Sequence, residues 1–138
     1  MTITVSGTTI TEPTTIIAAS IASAQTFYLA SNSIVYFTTA AAANWTANLT
    51  YSSSTSLNSI MNVGDTITTV AMVTQGGVAY YQSANATIDG TSTGVTTYWQ
   101  GGTVPNKGNI NGIDAYTYTI LKTAATPTYL VLASQTQF

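Results

Sequence analysis

The chain has 138 residues, with two lysines and four carboxylates as its only charged side chains and neither histidine nor cysteine. At 4% charged residues, against roughly a quarter in an average soluble domain, it offers no imidazole base, no thiolate, no zinc site of the usual ligands and no disulfide. Lys107 and Lys122 are the whole cationic complement and the formal net charge is −2, so the basic footprint that nucleic acid or anionic lipid requires is missing, and neither those partners nor a metal or cofactor is expected.

Hydroxyl groups take the place of charge: threonine occurs 29 times and serine 13 times. Chains rich in Thr, Ile, Val and Tyr suit a half-buried pleated surface, because β-branching fixes the side-chain torsion and packs well across strands. Disorder would need low hydrophobicity with high net charge, whereas 45% of this chain is hydrophobic. At the N-terminus, Ile3 and Val5 alternate with polar residues and predict a strand near Thr2–Val5. Residues 1–15, up to Glu12-Pro13, are expected to form an extended arm that pairs with a neighbour, or else a plain first strand or a frayed end; residues 16–138 are expected to form one β-sandwich domain. The apolar run Ile16–Leu29 imitates a signal sequence, even to Ala22-Ser23-Ala24. It follows Glu12 and Pro13 instead of a cationic start, and Ser20, Ser23, Gln25 and Thr26 interrupt it. It therefore reads as folded structure, neither signal nor membrane anchor.

Further strands are expected near Thr26–Ala30, Ile34–Thr38, Trp45–Tyr51, Thr66–Thr74, Val78–Ser83, Ala86–Ile88, Thr96–Trp99, Ala115–Thr123 and Thr128–Ala133. Turn signals separate them at Asn32-Ser33, Gly76-Gly77, Asp89-Gly90 and Gly101–Gly112. Gly76-Gly77, between two apolar runs, is the stronger hairpin signal, and Asp89-Gly90 the weaker. Leu57, Ile60 and Met61 stand at helical spacing behind Ser56, a ready N-cap, so one helical turn is predicted near 56–61. Alanines 40–43 read as loop. The fold class is thus all-β: an antiparallel β-sandwich or jelly roll of about eight to ten short strands with that one helical turn.

Candidate chemistry is sparse. A glycosidase would need two of Glu12, Asp65, Asp89 and Asp114 flanking one bond. Asp65 and Asp89 both sit in turn contexts, where a short carboxylate bonds to local backbone. The segment Asn106–Asp114 carries an Asn-x-Asn-Gly fragment of a calcium loop, but with one carboxylate and no closing glutamate, and turn formation explains it. The hydroxyl-rich runs Tyr51–Ser56 and Ala86–Thr97 lack a partner base, and no phosphate-binding glycine loop occurs. Sequons at Asn44, Asn48 and Asn85 are expected by chance in so Asn- and Thr-rich a chain. No enzyme is expected. The remaining candidates are the adjacent aromatics Tyr80, Tyr81, Tyr98 and Trp99, suited to an interface or to stacking on a glycan. Cross-strand packing is the competing reading, and in a strand one member of each pair faces outward.

The C-terminal third is the most distinctive text. Tyr98-Trp99-Gln100-Gly101-Gly102, Gly108-Asn109, Ile113–Ile120, Lys122-Thr123 and Tyr129–Phe138 resemble a module of virion structural proteins of tailed phages, those of marine and freshwater bacteria, cyanophages included. Ile34–Thr39, Trp45–Leu49, Leu57–Met61 and Ile67–Gln75 are similar to its central part, so the resemblance spans roughly residues 27–138. It implies a non-enzymatic, β-rich particle component. In larger relatives the module ends a longer fibre or tail protein. Here about 26 residues precede it, without coiled-coil heptads, which favours a small accessory unit. The expectation is a capsid decoration (cement) protein on the outer head, in the virion assembled in the bacterial cytoplasm. Its partners would be the major capsid protein or tail proteins and copies of itself, as a trimer. The alternative is a tail-fibre or tail-tip adhesin that touches a host surface glycan through Tyr80, Tyr81, Tyr98 or Trp99.

Overall fold

A computed structural model describes residues 3–31 and 33–138. Its strands are Thr4–Ser6 (β1), Thr9–Thr11 (β2), Thr15–Ile17 (β3), Ala24–Tyr28 (β4), Ile34–Phe37 (β5) and Thr46–Thr50 (β6). After one helical turn, Leu57–Ile60 (α1), come Thr66–Thr74 (β7), Thr87–Ile88 (β8), Val95–Trp99 (β9), Ile113–Ala124 (β10) and Thr128–Gln137 (β11), with a 3-10 turn at Gln100–Gly102. The helical turn is where the sequence placed it. Ser56 is its N-cap, its hydroxyl accepting from the Ser59 amide at 3.2 Å.

Two sheets face each other. The larger has six strands in the order β3-β5-β7-β10-β11-β9, and the smaller has three, β4-β6-β8. Between β3 and β9 the chain alternates between them, so that strands β3, β5 and β7 lie side by side and parallel in one sheet while β4, β6 and β8 do so in the other. Parallel neighbours need a long crossover, usually a helix; here each crossover runs through the opposite sheet. The β10–β11 hairpin then fills the space between β7 and β9, antiparallel to β7 and parallel to β9. The all-β, sandwich-like class is therefore present, but the antiparallel pairing expected from the sequence gives way to mixed sheets. Alternation specifies which face a residue takes, not which strand lies beside it.

Period-two patterning explains the core. In β10, Asp114, Tyr116, Tyr118, Ile120 and Lys122 point inward and the residues between them outward. Across the layers, Phe27 of β4 meets Phe37 of β5 edge-on at 6.3 Å between ring centres and Tyr118 of β10 at 6.4 Å, and Trp45 stands edge-on to Tyr116 at 5.2 Å. Offset and edge-to-face rings add roughly 0.5–1.5 kcal/mol each beyond their burial. Leu57 and Met61 of the helical turn close the same core.

The other departures have local causes. Gly76-Gly77 makes no hairpin, because β7 is already flanked by β5 and β10. The following segment, instead of forming a strand over Val78–Ser83, wraps around the buried Gln75 side chain, which accepts from the Tyr80 amide at 3.0 Å and donates to its carbonyl at 2.6 Å. Only Gln82 makes a β-bridge, to Trp45. Asp89-Gly90 does form a tight turn, with φ of 50° and 80° and reciprocal bonds between Ile88 and Thr91, the geometry for which Asp-Gly is selected. At the N-terminus, β1 and β2 pair through a two-residue turn at Gly7-Thr8 (Gly7 φ +58°) and are exposed where described. Thr2, in the expected first strand, and Asn32, in the Asn32-Ser33 turn signal, lie outside the described residues.

Candidate functional site

Four of the charged side chains, Asp65, Asp89, Asp114 and Lys122, hold backbone. Asp89, held at the β8 turn, reaches across to the start of α1: its Oδ1 accepts from the Leu57 amide and the Thr50 hydroxyl, both at 2.8 Å, and its Oδ2 from the Asn58 amide at 3.1 Å. At the other end of the same turn, the buried Lys122 ammonium of β10 donates to the carbonyls of Asn58 (2.9 Å) and Met61 (2.8 Å). A carboxylate at the free N–H groups and an ammonium at the free carbonyls complement both poles of a helix. Asp65 closes the 62–65 turn by accepting from the Asn62 amide at 2.8 Å, and Glu12 accepts from the Ser33 hydroxyl. Turn duty, expected for Asp65 and Asp89, is what both perform, and Asp89 clamps the helix besides.

Asp114 anchors a buried polar network at one end of the sandwich. Its Oδ2 accepts from Gln75 Nε2 (2.9 Å), the Asn109 amide (3.1 Å) and Gln135 Nε2 (3.4 Å). Gln135 also donates to the Tyr116 hydroxyl at 2.9 Å, and Tyr118 donates to Gln82, whose side chain is fully buried. Gly108 roofs the carboxylate: a Cβ there would lie 2.4 Å from the Tyr80 carbonyl and 3.0 Å from Asp114 Oδ2. The calcium-like Asn106–Asp114 segment is thus turned inward around its own carboxylate. Among the described residues Asp114 Oδ1 has no partner, and no three His, Cys, Asp or Glu side chains gather as a metal site.

Burial pushes the Asp114 carboxyl above the usual carboxylate range, against the pull of its three N–H donors. Burial likewise raises the Tyr116 and Tyr118 phenols. Since native Asp114 holds its proton more tightly than the unfolded chain does, its contribution to stability is most favourable below the ordinary carboxylate pKa. That contribution declines as pH rises through the raised native value. The melting temperature of the wild type relative to Asp114→Asn is therefore expected to rise on going from pH 7 to pH 4; a flat or opposite difference would contradict this assignment.

The four aromatic candidates do not converge. In β9, Tyr98 faces outward, 62% exposed, while Trp99 faces inward, 7% exposed, its indole N–H donating to Asn85 Oδ1 at 2.8 Å. Tyr80 and Tyr81 lie half-buried in the segment held by Gln75 and Asn44. The hollow beside Tyr98, about 330 Å³, is lined by residues of β9, β10 and β11 and the following Gln100, and by neither Tyr80 nor Tyr81. The sequon asparagines are structural ties: Asn44, Asn48 and Asn85 accept from the Tyr81 amide, the Gly90 amide and the Trp99 indole.

What sequence reasoning did not isolate is the outward face of the large sheet. Register aligns Thr68, Thr119, Leu132 and Tyr98 across β7, β10, β11 and β9, and Ile34, Val70, Thr117 and Ser134 across the neighbouring row. Every outward residue of these strands is uncharged, being aliphatic, aromatic, hydroxyl-bearing or, at Met72, a thioether, and Lys122 and Asp114 of the same sheet point inward. The alternation in β10 carries the signal, for both of its phases avoid exposed charge.

On the outside of the small sheet, Thr26, Tyr28, Asn48, Thr50, Asp89 and Gly90 line a hydroxyl-rich hollow of about 370 Å³ with the 52–56 loop. No described helix is long and apolar enough to cross a membrane. Searches against protein-family models, curated proteins and solved structures gave no match to this chain.

Proposed function

We propose that this chain is a non-enzymatic structural component of a tailed-phage particle, a capsid decoration protein seated on the outer head. The observation that carries the reading is the uncharged outward face of the six-stranded sheet. A large apolar and hydroxyl-bearing surface fits a protein embedded among neighbours, where no desolvation of charge opposes contact. The carboxylates support it, each being engaged with backbone N–H groups or a serine hydroxyl, at separate places. So does the sequence resemblance to phage virion modules.

The chain should co-purify with particles banded in a density gradient, and washing in molar salt should leave it attached, since screening weakens only charged contacts. Its absence from banded particles would refute the assignment, and release by moderate salt alone would refute the apolar mode of attachment. A second reading, a tail-tip adhesin for a host glycan, draws on the hollow beneath Tyr28, where an exposed ring stands among hydroxyls and an amide. Location at the tail alone would favour it.

A further inference from the structure

We propose that the outward face of the six-stranded sheet is self-complementary, and that two copies of this chain stack on it face to face about a two-fold axis. The inference goes beyond the particle assignment and does not require it; on a particle, the neighbour that covers this face would be the second copy, and the pair would attach through its remaining surfaces.

Size is the first argument. Six strands span about 24 Å at ~4.8 Å per spacing, and the central strands of 9 to 12 residues run roughly 30–40 Å. Even with shorter flanking strands, the planar footprint is on the order of 600 Å². Side-chain relief brings that toward the ~800 Å² per partner of a standard stable interface.

Charge is the second argument. An isologous contact sets the patch against itself, so a charge near the axis would meet its like, and one away from it would be buried unpaired unless an opposite charge lay across the axis. The face carries no charge: Asp114 and Lys122 take inward positions of β10, while Leu121, Thr119 and Thr117 take the outward ones. Relief is the third. Leu132, 51% exposed, and Tyr98 stand beside the shallow hollow over β10 and β11, a knob and recess on one surface, as a two-fold pair needs. Aligned sheet stacking at about 10 Å, with strands some 30° apart, is the arrangement such faces adopt. A face taken up by an isologous contact leaves no equivalent surface for a third copy, in contrast to the trimer expected from sequence.

Sedimentation velocity of the full chain at tens of micromolar, in physiological salt, tests the pair. The expected species has twice the 14.4 kDa chain mass. Leu132→Lys and, separately, Thr119→Lys should weaken association by about 100-fold or more, as an unpaired charge is buried. Thr46→Lys, on the outside of the small sheet, should leave it unchanged. Far-UV circular dichroism and a cooperative melt establish that each variant folds. A monomeric wild type overturns the pair, as does a trimer, or a dimer that survives in whichever face variant is folded. A monomer that still binds particles would sink this inference and spare the proposed function; a dimer absent from particles would do the reverse.

Discussion

Replacing Asp89 by alanine should lower the stability of the fold by about 3–5 kcal/mol, a large part of the roughly 5–15 kcal/mol typical of a domain. Three donors lose a charged acceptor at once: the Leu57 and Asn58 amides and the Thr50 hydroxyl. Hydrogen bonds to charged groups are worth about 1.5–3 kcal/mol each and are not additive. Alanine must also take the left-handed φ of 50° that Asp89 occupies, at a further cost of roughly 1 kcal/mol. For a chain of this length the melting temperature should fall by roughly 10 °C or more. Asp89→Asn tolerates that backbone and keeps one acceptor oxygen, so about half the loss is expected. Thermal melts of both variants check the order; an alanine variant as stable as wild type would remove Asp89 from the helix clamp.

Lys122→Met should cost about 2–3 kcal/mol, read as a shift in the urea midpoint with an unchanged slope. Methionine replaces much of the buried alkyl stem. It cannot donate, and the Asn58 and Met61 carbonyls are among those a helix leaves without internal partners. Asp89 and Lys122 hold opposite ends of the same turn, so the double variant should lose less than the two single losses combined. Additive losses would mean that the two clamps act independently.

The outline of the fold could be read from the sequence where local physics decides it. Strand β7 runs over the expected Thr66–Thr74, and the helical turn follows Leu57, Ile60 and Met61 behind their serine cap. Parallel pairing could not be read, because the alternation of β5 or β6 is the same whichever neighbour it meets. Gly76-Gly77 resembled a hairpin turn because it lies between two apolar runs; what decides that segment is Gln75, whose amide satisfies the Tyr80 backbone, and the strand already lying on each side of β7. Asp89-Gly90 was legible as a turn. Its grip on residues 57 and 58 was not, since 31 and 32 positions separate the partners.

For the candidate surface, the adjacent Tyr98-Trp99 pair obeyed strand alternation, one ring out and one in. Tyr80 and Tyr81 did not share that surface, because their segment is not a strand. The scarcity of charge was visible at once, whereas its distribution required the fold: the two ionisable groups other than tyrosine on β10, Asp114 and Lys122, point inward, which leaves the outer face of the large sheet bare.

Electron cryomicroscopy of purified particles shows where on the particle the chain sits. Density for this sandwich is expected in repeated copies on the outer surface of the head, with the six-stranded face turned toward a neighbour and Lys122 and Asp114 enclosed within the sandwich. Particles whose reconstructed head and tail contain no such density would contradict it, and density confined to the tail tip would contradict the decoration role.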